Sequence, residues 1–183
     1  MLDSSFKEEI KESLQKNCLL KGTFILSSGK KSDYIINCKP LMLSPYGHYL
    51  LGHCLKNELP SGTKAVAGYG LGGYALASAV SYASITSSES VSALYIRKVV
   101  KNHGTQSLIE GIENTQKGDL VVVLEDVVTT GQSVLKAVKI LKSAGYNVEC
   151  VVSIVDREEG AGQILVAKGL KFISLFKATE LLE

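Results

Sequence analysis

Residues 121–133 run Val121-Val122-Val123-Leu124-Glu125-Asp126-Val127-Val128-Thr129-Thr130-Gly131-Gln132-Ser133, and this string restricts the fold more tightly than any other stretch. The unbroken apolar run over 120–124 predicts a strand covered on both faces, as in a parallel sheet between two helical layers. Two acids end that strand in this reading. A hydroxyl-rich turn with one glycine follows. Val134, Ala137, Val138 and Leu141 then recur on one face of a helix predicted over 132–144, with Gly145 at its end. The turn offers backbone N–H groups and the hydroxyls of Thr129, Thr130 and Ser133, and the helix start adds partial positive charge, a combination that suits a phosphate monoester. Carboxylates beside it suit ribose hydroxyls or a metal ion. Singly, the acids would merely end a strand and Thr129 would cap a helix. Together they outline a sugar-phosphate site at the carboxyl end of a strand, where α/β sheets bind ligands.

The rest of the chain extends the same rhythm. Strands are predicted over 64–68, 91–96, 148–155 and 170–175, and helices over 74–85 and 161–168. Such alternation predicts an α/β fold with a mostly parallel central sheet flanked by helices. Residues 1–60 lack it. There the sequence predicts an amphipathic helix over 3–17, strands over 22–26 and 34–37 around the turn Ser27-Ser28-Gly29-Lys30, and a helix opened by Ser44-Pro45. At 183 residues the chain reads as one domain, 1–183, with a small N-terminal cap over 1–60 and the α/β core over 61–183.

Composition excludes several function classes. The net charge of +2 is too weak for nucleic acid as the main partner. No stretch approaches the roughly 20 apolar residues of a membrane span, and residues 1–16 lack an apolar signal core, so a cytoplasmic protein is expected. Cys18, Cys38, Cys54 and Cys150 are scattered with no CxxC pair, which argues for packing residues rather than a zinc cluster or disulfide frame. His48, His53, Tyr69 and Tyr74 read as ordinary structural side chains.

Four further segments carry chemistry. Arg97-Lys98-Val99-Val100-Lys101-Asn102-His103-Gly104-Thr105-Gln106 concentrates cations, a histidine and a glycine in one polar stretch. A loop of this kind can close over a leaving anion and neutralise it, and His103 can donate a proton or hydrogen bond. Phe24-Ile25-Leu26-Ser27-Ser28-Gly29-Lys30-Lys31-Ser32-Asp33-Tyr34 reads as a hairpin with polar groups at its tip. Gly68-Tyr69-Gly70-Leu71-Gly72-Gly73 allows either tight strand-to-helix packing or an anion-binding turn. Val155-Asp156-Arg157-Glu158-Glu159-Gly160-Ala161 places a guanidinium after a buried strand, where it could bind a carboxylate through two parallel hydrogen bonds.

The string over 121–133 resembles the phosphoribosyl pyrophosphate (PRPP) motif of the type I phosphoribosyltransferases. It lacks the Gly-Lys-Ser/Thr ending of a Walker loop. The Arg-Lys-x-x-Lys-x-His-Gly loop and Asp-Arg-x-x-Gly resemble the orotate phosphoribosyltransferases within that family. The resemblance implies the type I phosphoribosyltransferase fold and transfer of phosphoribose from PRPP to N1 of orotate, giving orotidine 5′-monophosphate and pyrophosphate in pyrimidine biosynthesis. It implies that Glu125 and Asp126 hold the ribose hydroxyls and that Val127, Val128, Thr129, Thr130, Gly131, Gln132 and Ser133 wrap the 5′-phosphate. Gly72 belongs to the pyrophosphate loop. Lys98, Lys101 and His103, with Arg97 beside them, act on pyrophosphate across a homodimer interface. Ser27, Thr129 and Arg157 contact orotate, with Asp156 orienting Arg157. Catalysis is expected to rest on Lys98, Lys101, His103 and Asp126. Mg²⁺ is expected to arrive with PRPP rather than in a protein cage. The chain departs from many relatives at Ser27 and Gly72, where those carry Lys. The rival readings are a phosphoribosyltransferase for uracil or a purine, against which the loop and Arg157 argue, and a PRPP-sensing nucleic-acid-binding regulator, which would want a broader basic face.

Overall fold

The computed structural model describes residues 2–25, 31–87, 89–99 and 107–183. The turn holding Ser27 and the loop segment holding Lys101 and His103 lie outside the described residues. Helix α1 (Leu2–Ser13) passes into a π-turn at Leu14–Cys18, so the helix predicted over 3–17 changes pitch near its end. Ile10, Leu14 and Cys18 are all fully buried. Their spacing of four overshoots the roughly 3.6-residue α-turn, and the wider π-turn brings Cys18 back over the buried line. Strands β1 (Leu19–Ile25) and β2 (Lys31–Ile36) pair antiparallel, both starting earlier than predicted. A short helix α2 (Lys39–Met42) precedes α3 (Pro45–Asn57), which starts as expected: Pro45 opens it and the Ser44 hydroxyl accepts the Gly47 N–H at 3.0 Å.

The alternating region follows as β3 (Thr63–Tyr69), α4 (Leu71–Ala83), β4 (Ser92–Ile96), β5 (Ile109–Glu110), β6 (Leu120–Val128), α5 (Gln132–Ser143), β7 (Cys150–Asp156), α6 (Ala161–Ala167), β8 (Lys171–Lys177) and α7 (Ala178–Leu182). Among the described residues the main sheet has the order β5-β4-β3-β6-β7-β8, parallel except for β5. One boundary corrects the sequence reading. Strand β6 does not end at Glu125 and Asp126 but runs on to Val128, because the β7 ladder continues beside it through Glu125↔Ser153, Val127↔Val155 and Val128↔Asp156. Helix α4 likewise starts at Leu71 rather than 74, with Gly72 and Gly73 in its first turn.

The sheet is covered on both faces, as the apolar run over 120–124 predicts. Val122 and Leu124 face a core shared with α1, α3 and α4. Val121 and Val123 face a second core shared with α5 and α6. Each fully buried Leu or Val of this kind contributes roughly 1.5–3 kcal/mol. The small residues of α4 allow close approach. A Cβ on Gly52 of α3 would lie 2.5 Å from the Ala79 carbonyl oxygen. A Cβ on Gly68 of β3 would lie 2.0 Å from the Gly73 carbonyl carbon. All four cysteines are buried.

Candidate active site

Parallel strands deliver the turns that follow them to one edge of the sheet. Registers Tyr69↔Ile96 and Val128↔Asp156 therefore bring together the starts of α4 and α5, Arg97 and Lys98 beyond β4, and Arg157 to Gly160 beyond β7. A pocket of about 480 Å³ opens there, lined by every residue from Glu125 to Val134, together with Lys136 and Glu159. Gly131 sits at φ 75 and starts α5 without a side-chain cap, so the first-turn N–H groups remain open to an anion. The string read as a phosphate cradle is thus one continuous wall.

The two acids differ in setting. The Asp126 carboxylate leans against the first turn of α4, where a Cβ on Gly72 would fall 2.6 Å from its Cγ. Gly72 thus supplies the space that Asp126 occupies. The Asp126 backbone N–H donates to Glu125 Oε1 at 3.4 Å. Burial, then the neighbouring Asp126 charge and hydrogen bond, push the Glu125 carboxyl up to about 8, with Lys98 pulling the other way. Between about pH 4.5 and pH 8 the unfolded chain has released this proton while the folded chain keeps it. Glu125 therefore costs stability as pH rises through that window. Glu125→Gln is expected to raise the unfolding free energy, measured by urea titration at pH 8, by on the order of 2 kcal/mol, with the gain shrinking toward pH 4.5. A gain independent of pH would refute this account.

Lys98 lies over the first glycine turn of its own chain. Its Nζ is 5.7 Å from the Tyr69 ring centroid, and a Cβ on Gly70 would lie 3.1 Å from its Cε. The cause is the sheet register: Tyr69 pairs with Ile96, so a residue two beyond Ile96 lands above the turn that follows Tyr69. Arg97 turns elsewhere, with Nε 2.7 Å from Glu110 Oε1 on β5. Both line a neighbouring cavity with Gly70, Tyr74 and Tyr95 rather than the pocket of Glu125 and Asp126. Tyr74 packs on Tyr95 and donates to the Ile96 carbonyl, and His53 packs on Phe6 and Tyr49, the structural roles expected of them. His48 Nδ1 lies 3.2 Å from the Met42 carbonyl oxygen.

Arg157 is 8 % exposed, with Cζ 4.5 Å from the Tyr34 ring centroid and Nη2 donating to Ser32 Oγ at 3.3 Å. Its Nε lies 2.9 Å from Glu159 Oε1. Asp156, expected to orient Arg157, instead accepts the Glu158 backbone N–H at 2.8 Å and shapes the turn. Glu158 is held at φ 59, and hydrogen bonding from Thr179 keeps its carboxyl below the usual range. Sequence reasoning assigned no role to Ser32, Tyr34 or Glu159. The short Arg-x-Glu spacing could have pointed to Glu159, but nothing local ties β2 to Arg157, which lies 125 positions away.

Comparison with known proteins agrees with this geometry. The family model for the phosphoribosyl transferase domain matches residues 55–177. The orotate phosphoribosyltransferase of Nostoc sp. is 44 % identical over 178 residues, covering 97 % of this chain and 86 % of that protein. The enzyme of that name from Synechocystis sp. is 48 % identical over 156 residues, covering 85 % and 78 %. Crystal structures of Mycobacterium tuberculosis orotate phosphoribosyltransferase superpose on the chain. The complex with Fe(III) dicitrate gives a TM-score of 0.81 at 30 % identity, covering 96 % of this chain and 98 % of that one. The complex with PRPP gives 0.78 at 26 %, covering 97 % and 99 %. With relatives this similar over nearly their whole length, and with the strand–turn–helix pocket in place, the chain belongs to the orotate phosphoribosyltransferase family of type I phosphoribosyltransferases.

Proposed function

We propose that this pocket transfers the 5-phosphoribosyl group from PRPP to N1 of orotate, releasing pyrophosphate and forming orotidine 5′-monophosphate for pyrimidine synthesis. The observation that carries the reading is a buried guanidinium, Arg157, beside a pocket whose wall is one uncapped helix start and two carboxylates. Orotate N1 attacks the anomeric carbon as the bond to the pyrophosphate oxygen breaks, with inversion and positive charge developing on the ribose. Asp126 and Glu125 stabilise and orient that ribose through its hydroxyls. The wall from Val127 to Ser133 holds the 5′-phosphate, and Thr129 reaches the base. Lys98, above the Gly70 turn of its own chain, faces the departing pyrophosphate. Gly72 lets that turn approach the anion through its backbone. Ser27 is read as a further contact to orotate.

Mg²⁺, when bound, neutralises the pyrophosphate as it leaves. We infer no direct protein ligand for it: the ion arrives with PRPP and takes its oxygens from PRPP and water, while Asp126 and Glu125 hold the ribose hydroxyls. We read the chain as one domain, with residues 1–60 capping the core of 61–183. We further place it in the cytoplasm as a homodimer in which Lys101 and His103, with Arg97 beside them, act on pyrophosphate across the interface; Lys98, expected to act across it as well, stands instead over the Gly70 turn of its own chain. Leu71, Tyr82, Ile85 and Val99 are large apolar side chains at 60–77 % exposure on and beside α4, and they support burial against a second copy. No described helix is long and apolar enough to cross a membrane.

The test is loss of orotate absorbance in the presence of PRPP and Mg²⁺. Lys101→Ala is expected to reduce the rate by about 10²-fold or more. Untouched orotate alongside PRPP consumption with another base would move the substrate assignment.

A further inference from the structure

We propose that Glu159 is a placeholder for the substrate's carboxylate, holding Arg157 neutralised in the empty site and yielding its place when orotate binds. This rests on the reading of Arg157 as the orotate carboxylate ligand. A cation as buried as Arg157 needs a counter-charge, because leaving it unpaired inside the protein is strongly destabilising. Glu159 supplies it at 2.9 Å, yet the Nε–H is not aimed at Oε1, and Nε remains a buried donor without a hydrogen-bond acceptor among the described residues. The pair is thus compensated in charge and unsatisfied in geometry. Guanidinium groups favour a carboxylate in their own plane with two parallel hydrogen bonds, and the Tyr34 ring, 4.5 Å from Cζ, limits how the guanidinium can turn to reach Glu159.

Glu159 also lines the pocket of Asp126 and the phosphate turn, so a base placed to attack the ribose arrives beside this pair. Its side chain retains 18 % exposure, against 6 % for Arg157, so Glu159 is the partner that can swing to solvent. Binding then exchanges one carboxylate for another, better aligned.

Glu159→Gln removes the charge that orotate must displace. The orotate KM is expected to fall about three- to tenfold, with kcat and the PRPP KM within about twofold of wild type. A residue that merely positions Arg157 would raise the orotate KM or lower kcat, and either result, or an unchanged KM, overturns the proposal. A crystal structure of the wild type with orotate decides independently of how the variant folds. A Glu159 carboxylate more than about 4 Å from Arg157 Nε supports displacement, and retention of the present contact overturns it. A wild type that does not turn over orotate defeats the functional reading and this inference together. Turnover with an orotate KM unchanged in the variant defeats this inference alone.

Discussion

Asp126→Asn is expected to lower kcat/KM by roughly 10²–10³-fold while leaving the fold intact. Asn has nearly the shape of Asp, so the variant should still fit against the first turn of α4, where Gly72 leaves room for it. What it loses is negative charge at the point where the ribose becomes cationic. A preorganised charge in a partly enclosed pocket acts on the transition state more than on the ground state, so kcat should carry most of the loss. Relieving the repulsion with Glu125 should also keep the melting temperature level or raise it. Steady-state kinetics with a parallel melt would check both halves. A loss under tenfold would remove Asp126 from the catalytic group.

The second large effect falls on stability. In Gly68→Ala the new Cβ would meet Gly73 C at 2.0 Å, Gly73 O at 2.1 Å and Tyr74 N at 2.6 Å. Every one of these atoms is backbone, so no side chain can rotate away. The start of α4 must instead lift off β3, and the turn carrying Gly70 and Gly72 must move with it. A cost of about 3 kcal/mol or more is expected, or a melting temperature lowered by roughly 6–12 °C for a chain of this size. PRPP affinity should fall as well. Gly162→Ala provides the contrast. In α6 the nearest atom to its Cβ is Phe172 Cδ1 at 3.8 Å, an ordinary contact, and alanine there should stabilise by about 0.5–1 kcal/mol. Equal melting of the two variants would show that the α4–β3 contact is softer than described.

Features resting on near neighbours in the chain were legible from residue order. The apolar run over 120–124 requires cover on both faces, and the α5 stripe of Val134, Ala137, Val138 and Leu141 requires one buried side. Ser44 and Pro45 mark a helix start whatever surrounds them. The pocket wall was legible for the same reason, since residues 127–133 follow one another along the end of β6, its turn and the start of α5. Two local readings still failed at their edges. Charge suggested that β6 stops at Glu125, yet pairing with β7 carries it to Val128. Glycine suggested a turn through residue 73, yet tight packing on β3 draws Gly72 and Gly73 into α4.

Local pattern, then, determined the class of fold and the run of residues that walls the pocket, because hydrophobic period, turn residues and helix-start chemistry act over a few residues. Folding decided the rest: that Lys98 stands over its own chain's Gly70, that Gly72 makes room for Asp126, and that Arg157 meets Tyr34 and Ser32 from a hairpin far back in the chain. These contacts depend on which strands lie side by side and in what register. That is set by the burial of the whole sheet between its two cores, a property no short segment carries.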